Sequence, residues 1–328
     1  MREGGMQAGA DWTDARVRAV EDVARDVRLV EIVPADGARA YAPGAHLRLV
    51  ATIGETTDTR SYSLVGAEPV AGTYRIAVKR QAQSRGGSAY VWSLRAGDPV
   101  RIAHPANLFA LAHGRPGYLL VAGGIGITPI VGMAEALARR GAPVRLAYAG
   151  RARAEMPFLD HLAGLLGPRL AVHVSEEGSR LDLAAAIAGL HPEGEMYLCG
   201  PMRLIEAARA AWAEAGRPAA ALRYETFGSS GRFVAQPFVV RVPRLGLEVV
   251  VPETKTMLDA LQEAGADLLS DCRRGECGLC VLDVLSVEGE VDHRDVFFSE
   301  EEKRSNHKIC ACVSRAVAGV LVVDTADR

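Results

Sequence analysis

The chain has 328 residues, enough for two or three domains, with 49% hydrophobic and 24% charged residues and a net charge of −2. That composition excludes disordered, collagen-like and strongly basic nucleic-acid-binding proteins. No apolar run is long enough to span a bilayer, and Met1 to Trp12 hold no signal-peptide core. A cytoplasmic monomer that binds neither membrane nor nucleic acid is therefore expected.

Residues 1–14 read as a flexible N-terminus. From 15 to 112 the pattern is short and strand-like. Arg16 to Val23, Val27 to Val33, His46 to Thr52, Tyr74 to Lys79 and Pro99 to Ile102 are β-rich runs separated by turns such as Pro43-Gly44. An antiparallel β-barrel is expected. The period changes at Tyr118. Apolar strands at Tyr118 to Ala122, Val144 to Tyr148, Leu170 to Val174 and Met196 to Cys199 alternate with helical patterns at Pro129 to Arg140, Phe158 to Leu166, Leu181 to Leu190 and Met202 to Ala215. That alternation predicts an α/β domain with a parallel sheet over 113–227. Residues 228–237 open on Gly-Ser-Ser-Gly and read as a linker. The remainder, 238–328, predicts strands around one helix at Thr256 to Gly265. The fold class is thus multidomain.

Charge is uneven. Residues 238–328 hold 17 acidic and 11 basic side chains, against 23 and 27 in the rest of the chain. This is either ordinary surface variation or an acidic module that docks partners electrostatically.

Five of the six cysteines lie between Cys272 and the C-terminus. Cys272, Cys277 and Cys280 form C-x4-C-x2-C, the plant-type [2Fe–2S] spacing, in which one loop wraps three thiolates around a small cluster. Gly275 and Gly278 let backbone N–H groups approach the sulfides. Structural zinc is the alternative, but it usually takes two paired C-x2-4-C arms. The fourth ligand is Cys310 or Cys312, which would share one face of a strand.

Arg60, Tyr62 and Ser63 sit in Arg-x-Tyr-Ser-Leu: an arginine for a flavin phosphate, a ring to pack on isoalloxazine, a hydroxyl for its N5 region. Ala77, Val78 and Lys79 end a strand that could run along the flavin. Gly86, Gly87 and Ser88 offer bare N–H groups ahead of a possible helix at Ala89 to Leu94. Gly123, Gly124, Gly126 and Thr128 follow a buried strand and open a helix, the context of a dinucleotide site. Cys199, Gly200 and Pro201 end a later strand at the same sheet edge. Cys199 is either a core thiol or a nicotinamide neighbour. No residue is assigned as a certain acid or base; Thr128 and Cys199 are the ones expected nearest flavin and nicotinamide.

These motifs, in this order and over nearly the whole chain, resemble the phthalate dioxygenase reductase family within the ferredoxin–NADP⁺ reductase superfamily. Tyr224 to Gly228 and Asp292-His293-Arg294-Asp295 belong to the resemblance. It implies an FMN-binding barrel, an NAD domain and a C-terminal β-grasp ferredoxin domain. It further implies FMN rather than FAD, NADH as donor, and a Rieske-type terminal oxygenase as partner. Arg60, Ser63, Ala77, Lys79, Gly87, Ser88, Thr128 and Phe227 look like FMN contacts. Cys312 looks like the fourth cluster ligand, because it precedes Val313-Ser314-Arg315 and a closing apolar strand. The stretch from Cys280 to Cys312 is longer than in phthalate dioxygenase reductase.

Overall fold

The computed structural model describes residues 11–54, 56–81, 86–227, 233, 235–317 and 319–325. The chain divides into two compact units, Met1–Glu225 and Thr226–Arg328.

The first unit opens with six antiparallel strands: β1 (Trp12–Ala24), β2 (Val27–Pro34), β3 (His46–Ile53), β4 (Thr56–Ser63), β5 (Tyr74–Lys79) and β6 (Pro99–Ala106), in the order β4-β3-β6-β1-β2-β5. Leu64, just past β4, bridges Ile76 of β5 and brings the two edges together. Alternate residues point inward, as a period of two requires. Leu47, Leu49 and Ala51 of β3 meet Val30 and Ile32 of β2 and Tyr74 and Ile76 of β5 in one core. The short helix α1 (Gly87–Ser93) follows β5.

β1 begins at Trp12, so residues 12–14, expected to be flexible, pair with β6. β4 was not expected as a separate strand. Its Thr-Thr-Asp-Thr-Arg run is polar and carries no apolar alternation, and backbone pairing with β3 makes the strand.

A parallel sheet follows. Its strands are β7 (Tyr118–Gly123), β8 (Val144–Gly150), β9 (Leu170–Val174), β10 (Glu195–Cys199) and β11 (Leu222–Glu225), ordered β11-β10-β7-β8-β9. Helices α2 (Ile127–Arg139), α3 (Leu159–Leu166), α4 (Leu183–Ala188) and α5 (Met202–Glu214) make the crossovers. Every residue of β7 and β10 is buried, which is why these strands read as continuous apolar runs. Gly141, at φ +64°, stands just past α2 as expected for a helix end.

The barrel and the parallel sheet belong to one compact unit rather than two. Gly132 of α2 lies so close to the barrel that a Cβ there would come within 2.3 Å of the Gly66 carbonyl oxygen. Glu135 of α2 accepts a hydrogen bond from the Ala67 N–H at 2.9 Å. Glu155, after β8, is buried and receives Arg25 at 2.7 Å, Lys79 at 3.0 Å and Arg151.

The second unit is a five-stranded sheet crossed by a helix. β12 (Phe238–Val242), β13 (Leu247–Val251), β14 (Val281–Val287), β16 (Lys308–Cys310) and β18 (Val320–Asp324) are ordered β13-β12-β18-β14-β16, with β12 and β18 parallel. β15 (Val291–Asp292) and β17 (Arg315–Ala316) make a small ladder beside it. Helix α6 (Met257–Glu263) is capped by Thr256, whose hydroxyl accepts from the Asp259 N–H at 3.0 Å. Leu258 and Leu261 of α6 pack on Val240, Ile309, Leu321 and Val323. A second helix, α7 (Glu300–Ser305), was not expected. Ser299 and Glu302 form a capping box at its start, a signature present in the sequence as Ser-x-x-Glu. Of the expected linker, residues 228–232 and 234 lie outside the described residues, as do residues 1–10 of the expected N-terminus.

Hydrogen bonds from Arg151, then Arg25 and Lys79, hold the Glu155 carboxyl down from 4.5 to about 2. A carboxyl whose pKa is lower in the folded state stabilises above its ordinary value, and that stabilisation vanishes as pH falls through the folded value. Glu155→Gln should therefore cost on the order of 2 kcal/mol at pH 7. Denaturant titrations should show the gap to the native chain closing between pH 4.5 and about 2. A gap that stays constant over that window would count against the ionised hub.

Candidate functional site

In an open α/β sheet, ligands bind beyond the carboxyl ends of the strands where the strand order reverses. Here β7, β8 and β9 run outward on one side, and β10 returns to the other side of β7. The reversal therefore falls between β7 and β10. The two turns expected to bind the dinucleotide end these two strands, and they touch. A Cβ on Gly126 would stand 2.2 Å from the Cys199 carbonyl oxygen, and one on Gly123 would stand 2.7 Å from Pro201. A Cβ on Gly200 would stand 3.1 Å from the Gly123 backbone. Gly124 differs: its φ is +55° and a Cβ there would meet nothing within 4 Å. Bare backbone thus faces open space at the start of α2, where unpaired N–H groups and the helix dipole favour an anion. Thr128 is buried in that first turn and its hydroxyl donates to the Ile125 carbonyl at 3.1 Å.

Cys199 is fully buried and stands in register with Ala122 of β7 and Glu225 of β11. The Glu225 carboxylate, 1% exposed, accepts a hydrogen bond from Ser63 of the barrel at 3.1 Å. Glu225 lies in the Tyr224 to Gly228 motif, whose glutamate and aromatic the resemblance expects to close over the flavin. The barrel motif also assembles. A Cβ on Gly87 would come within 3.0 Å of the Arg60 side chain, and Gly86, at φ +91°, packs on Ile53. Arg60 pairs with Asp58. Ala77 and Val78 are buried, while the Lys79 ammonium is held by Glu155. Burial pushes the Tyr62 phenol up. Phe227 is partly buried and belongs to the second unit, beyond the end of β11.

Beyond β8 and β9 the same edge carries Arg151 and Arg153, the residue type that can take a 2′-phosphate. Both are engaged. Arg153 makes a two-pronged pair with Glu177 at 2.7 and 3.1 Å, and Arg151 lies against Glu155 and, at 3.6 Å, Glu176.

In the second unit, the loop from Cys272 to Cys280 is shaped by residues with positive φ. Arg273 (51°), Gly275 (74°) and Gly278 (75°) turn it. A Cβ on Gly275 would lie 2.6 Å from Val313, and one on Gly278 would lie 2.3 Å from Phe297, so neither position admits a side chain. The turns aim backbone at sulfur: the Arg274 and Glu276 N–H groups donate to Cys272 Sγ at 3.4 Å. Arg273 anchors the loop on α6 through Asp259 and Gln262, both at 2.9 Å. Glu276 is half-buried and accepts from the Thr226 N–H at 3.0 Å.

The sulfurs gather in two groups. Cys272 hydrogen-bonds with Cys277, and Cys280 with Cys310 and Cys312. Burial raises the Cys272 thiol to about 11, against the opposing N–H groups. Hydrogen bonds from Cys310 and Cys312 hold Cys280 low, while those two thiols are pushed up by Cys280 and by burial. Buried sulfurs this close become thiolates together only with positive charge among them, which iron supplies. The cradle of side-chain-free turns and the all-sulfur donor set fit a [2Fe–2S] cluster. Among the described residues no three His, Cys, Asp or Glu side chains converge on a single-ion site.

Cys310 and Cys312 do not share a strand face. β16 ends at Cys310, which pairs with Val281, and a turn carries Cys312. Ala311 between them is tied on both sides, donating to the Cys280 carbonyl at 3.1 Å and accepting from Leu258 of α6 at 3.0 Å. Cys312 receives the Gly275 N–H and feels the charge of Cys272, so it faces the cysteine loop. Cys280, Cys310 and Cys312 all border the same hydrophobic core.

Residues 240–317 match the model of the 2Fe–2S iron–sulfur cluster binding domain. A toluene-4-sulfonate monooxygenase system reductase subunit of Comamonas testosteroni is 36% identical over 330 residues, covering 97% of this chain and all of that one. Phthalate dioxygenase reductase, solved as a modular structure for electron transfer from pyridine nucleotides to [2Fe–2S], is 30% identical with a TM-score of 0.78 over 95% of this chain and 98% of its own. The chain belongs to the phthalate dioxygenase reductase family. A larger protein carries the family's arrangement as a part: an intact type IV self-sufficient cytochrome P-450 monooxygenase matches 98% of this chain at 32% identity and TM-score 0.68, and the chain spans 43% of it. The family has the barrel, the nucleotide sheet and the ferredoxin module in the order found here, so the expected fold class stands. It also brings the flavin, the [2Fe–2S] cluster and NADH.

The geometry at Cys312 gives a direct check. Cys312→Ser should lose the cluster, read as iron content and visible absorption, whereas Cys310→Ser should keep it. A full cluster in the Cys312 variant would reverse the assignment.

Proposed function

We propose that the protein is the reductase component of a two-component oxygenase system. It would take hydride from NADH onto FMN and pass single electrons through its [2Fe–2S] cluster to a Rieske-type oxygenase that acts on an aromatic-ring or O-methyl substrate. The observation that carries this reading is one chain holding both a strand-reversal crevice, Gly123 to Gly126 against Cys199 to Pro201, and a thiolate cradle, Cys272 to Cys280 with Cys312. A flavin accepts two electrons from a nicotinamide and releases them singly, which a cluster that takes one requires.

The chain's own residues supply position and charge. Gly123, Gly124, Gly126, Gly200 and Pro201 would let the dinucleotide lie against backbone, with the α2 N–H groups on its pyrophosphate. Arg60 with Gly86, Gly87 and Ser88 would hold the flavin phosphate. Tyr62, Ala77, Val78 and the Lys79 backbone would line its ring, and Thr128, Cys199 and Phe227 would lie nearest the reacting atoms. Ser63 and Glu225 hold one proton between two oxygens at the strand edge. Cys272, Cys277, Cys280 and Cys312 would ligate iron. Residues 238–328, with their acidic excess, would dock the oxygenase, so turnover should weaken as salt screens the attraction.

The test is direct. The purified protein should be red-brown, release FMN by mass spectrometry, and bleach in both flavin and cluster bands with NADH. With its oxygenase it should support product formation, while a chain ended near residue 230 should still reduce ferricyanide but not the oxygenase. Recovery of FAD would overturn the flavin assignment, and oxygenase turnover by the shortened chain would overturn the role of the cluster.

Donor choice follows from the engaged arginines. With Glu176 and Glu177 on Arg151 and Arg153, a 2′-phosphate must displace a carboxylate, so NADH should be preferred. Glu176→Gln with Glu177→Gln should raise kcat/KM for NADPH by about tenfold, the worth of roughly one charge-assisted hydrogen bond, with little change for NADH. Equal use of both donors by the unaltered protein would refute the idea.

A further inference from the structure

The segment Asp292-His293-Arg294-Asp295 lies outside the cysteine loop, yet it is buried against both parts of the cradle. Asp295 is 0% exposed. One carboxylate oxygen accepts from the Ser314 hydroxyl at 3.1 Å and the other from the Phe298 N–H at 3.0 Å. Ser314 is itself buried, two residues past Cys312, and accepts from the Arg294 N–H at 3.1 Å. Pairing of Asp292 with Arg315 across β15 and β17 fixes the same register.

On its other side the segment grips the three-cysteine loop. The Gly275 carbonyl accepts from the Val296 and Phe297 N–H groups at 3.0 and 3.1 Å, and a Cβ on Gly275 would strike Asp295 Cα at 2.8 Å. Lys303 donates to the Asp295 carbonyl at 2.7 Å and its charge also acts on the carboxylate, Arg294 donates to Asp292 at 2.7 Å, and His293 stands 3.4 Å from the carboxylate. A carboxylate buried this way, with a clamp on each side, is a costly feature to keep for packing alone.

We propose that Asp295 is a positioning residue for the iron–sulfur cluster, tying the Cys312 turn to the Gly275 turn and setting the cluster's reduction potential with its fixed negative charge. The proposal rests on the cluster assignment above. Reduction adds an electron to a site already negative, and a buried carboxylate nearby opposes it in a medium that screens weakly. Removing the charge makes reduction easier, and removing the Ser314 bond loosens the turn without touching the charge.

The experiment uses the full chain with its cofactors. Asp295→Asn is expected to raise the midpoint potential in an electron paramagnetic resonance titration and to speed loss of iron to a chelator. Ser314→Ala is expected to speed iron loss several-fold with a much smaller change in potential. Asp295→Glu should restore the potential. If Asp295→Asn matches the unaltered protein in potential, the electrostatic role is overturned; if Ser314→Ala loses iron at the native rate, the tie is overturned. Should Asp295→Asn hold no cluster, Ser314→Ala still decides the tie and Asp295→Ser, which also removes the charge, decides the electrostatic role by the same titration. An unaltered protein without two irons and a [2Fe–2S] spectrum would instead reject the cluster assignment.

Discussion

Two backbone turns pressed together without side chains are the constraint on which the first unit depends. Gly126 sits where its missing Cβ would overlap the Cys199 carbonyl, and Gly123 sits against Pro201. Any side chain at either position would force β7 and β10 apart at their carboxyl ends. That separation would break the register that sets Cys199 beside Ala122 and Glu225. Glu225 would then leave Ser63, and the barrel strand carrying Arg60 and Tyr62 would lose its tie to the sheet. The chemistry of the crevice therefore depends on a packing condition that only glycine meets.

The same logic decides what was legible in the sequence. Runs such as Tyr118 to Ala122 and Met196 to Cys199 were readable because a strand buried on both faces must be apolar throughout. The glycine turns were readable because close approach leaves no other residue type. β4 was not readable, since its partners are backbone groups and its side chains are polar. Glu155 gave no signal either. It is one acid in Arg-Ala-Arg-Ala-Glu, and its importance comes from Arg25 and Lys79, which lie 130 and 76 residues away in sequence. Placing Cys310 and Cys312 on one strand face failed for a local reason: Ala311 bonds to Cys280 and Leu258, which ends β16 and turns the chain.

Arg151 and Arg153 show that residue type alone does not fix a role. Two arginines after β8 could pair with a phosphate. Carboxylates from the neighbouring strand end reach them because β8 and β9 are parallel, so residues after each strand meet at one edge. Composition places the charges, and only topology says which of them cancel.

The two sites solve opposite problems with the same residue. A nicotinamide must enter and leave in every turnover, whereas a cluster must stay. Gly124 has a positive φ and empty space around it, so its missing side chain leaves the backbone open on that side. Gly275 and Gly278 also have positive φ, but Val313, Asp295 and Phe297 fill the space their side chains would take. There the missing Cβ lets the protein close around itself and fixes the direction of the N–H groups. Asp295 and Ser314 extend that closure to the Cys312 turn with hydrogen bonds that are shielded from water. A hydrogen-bonded clamp of that kind suits a group whose charge changes by one electron, because it holds the sulfurs in place in both states without needing to reopen.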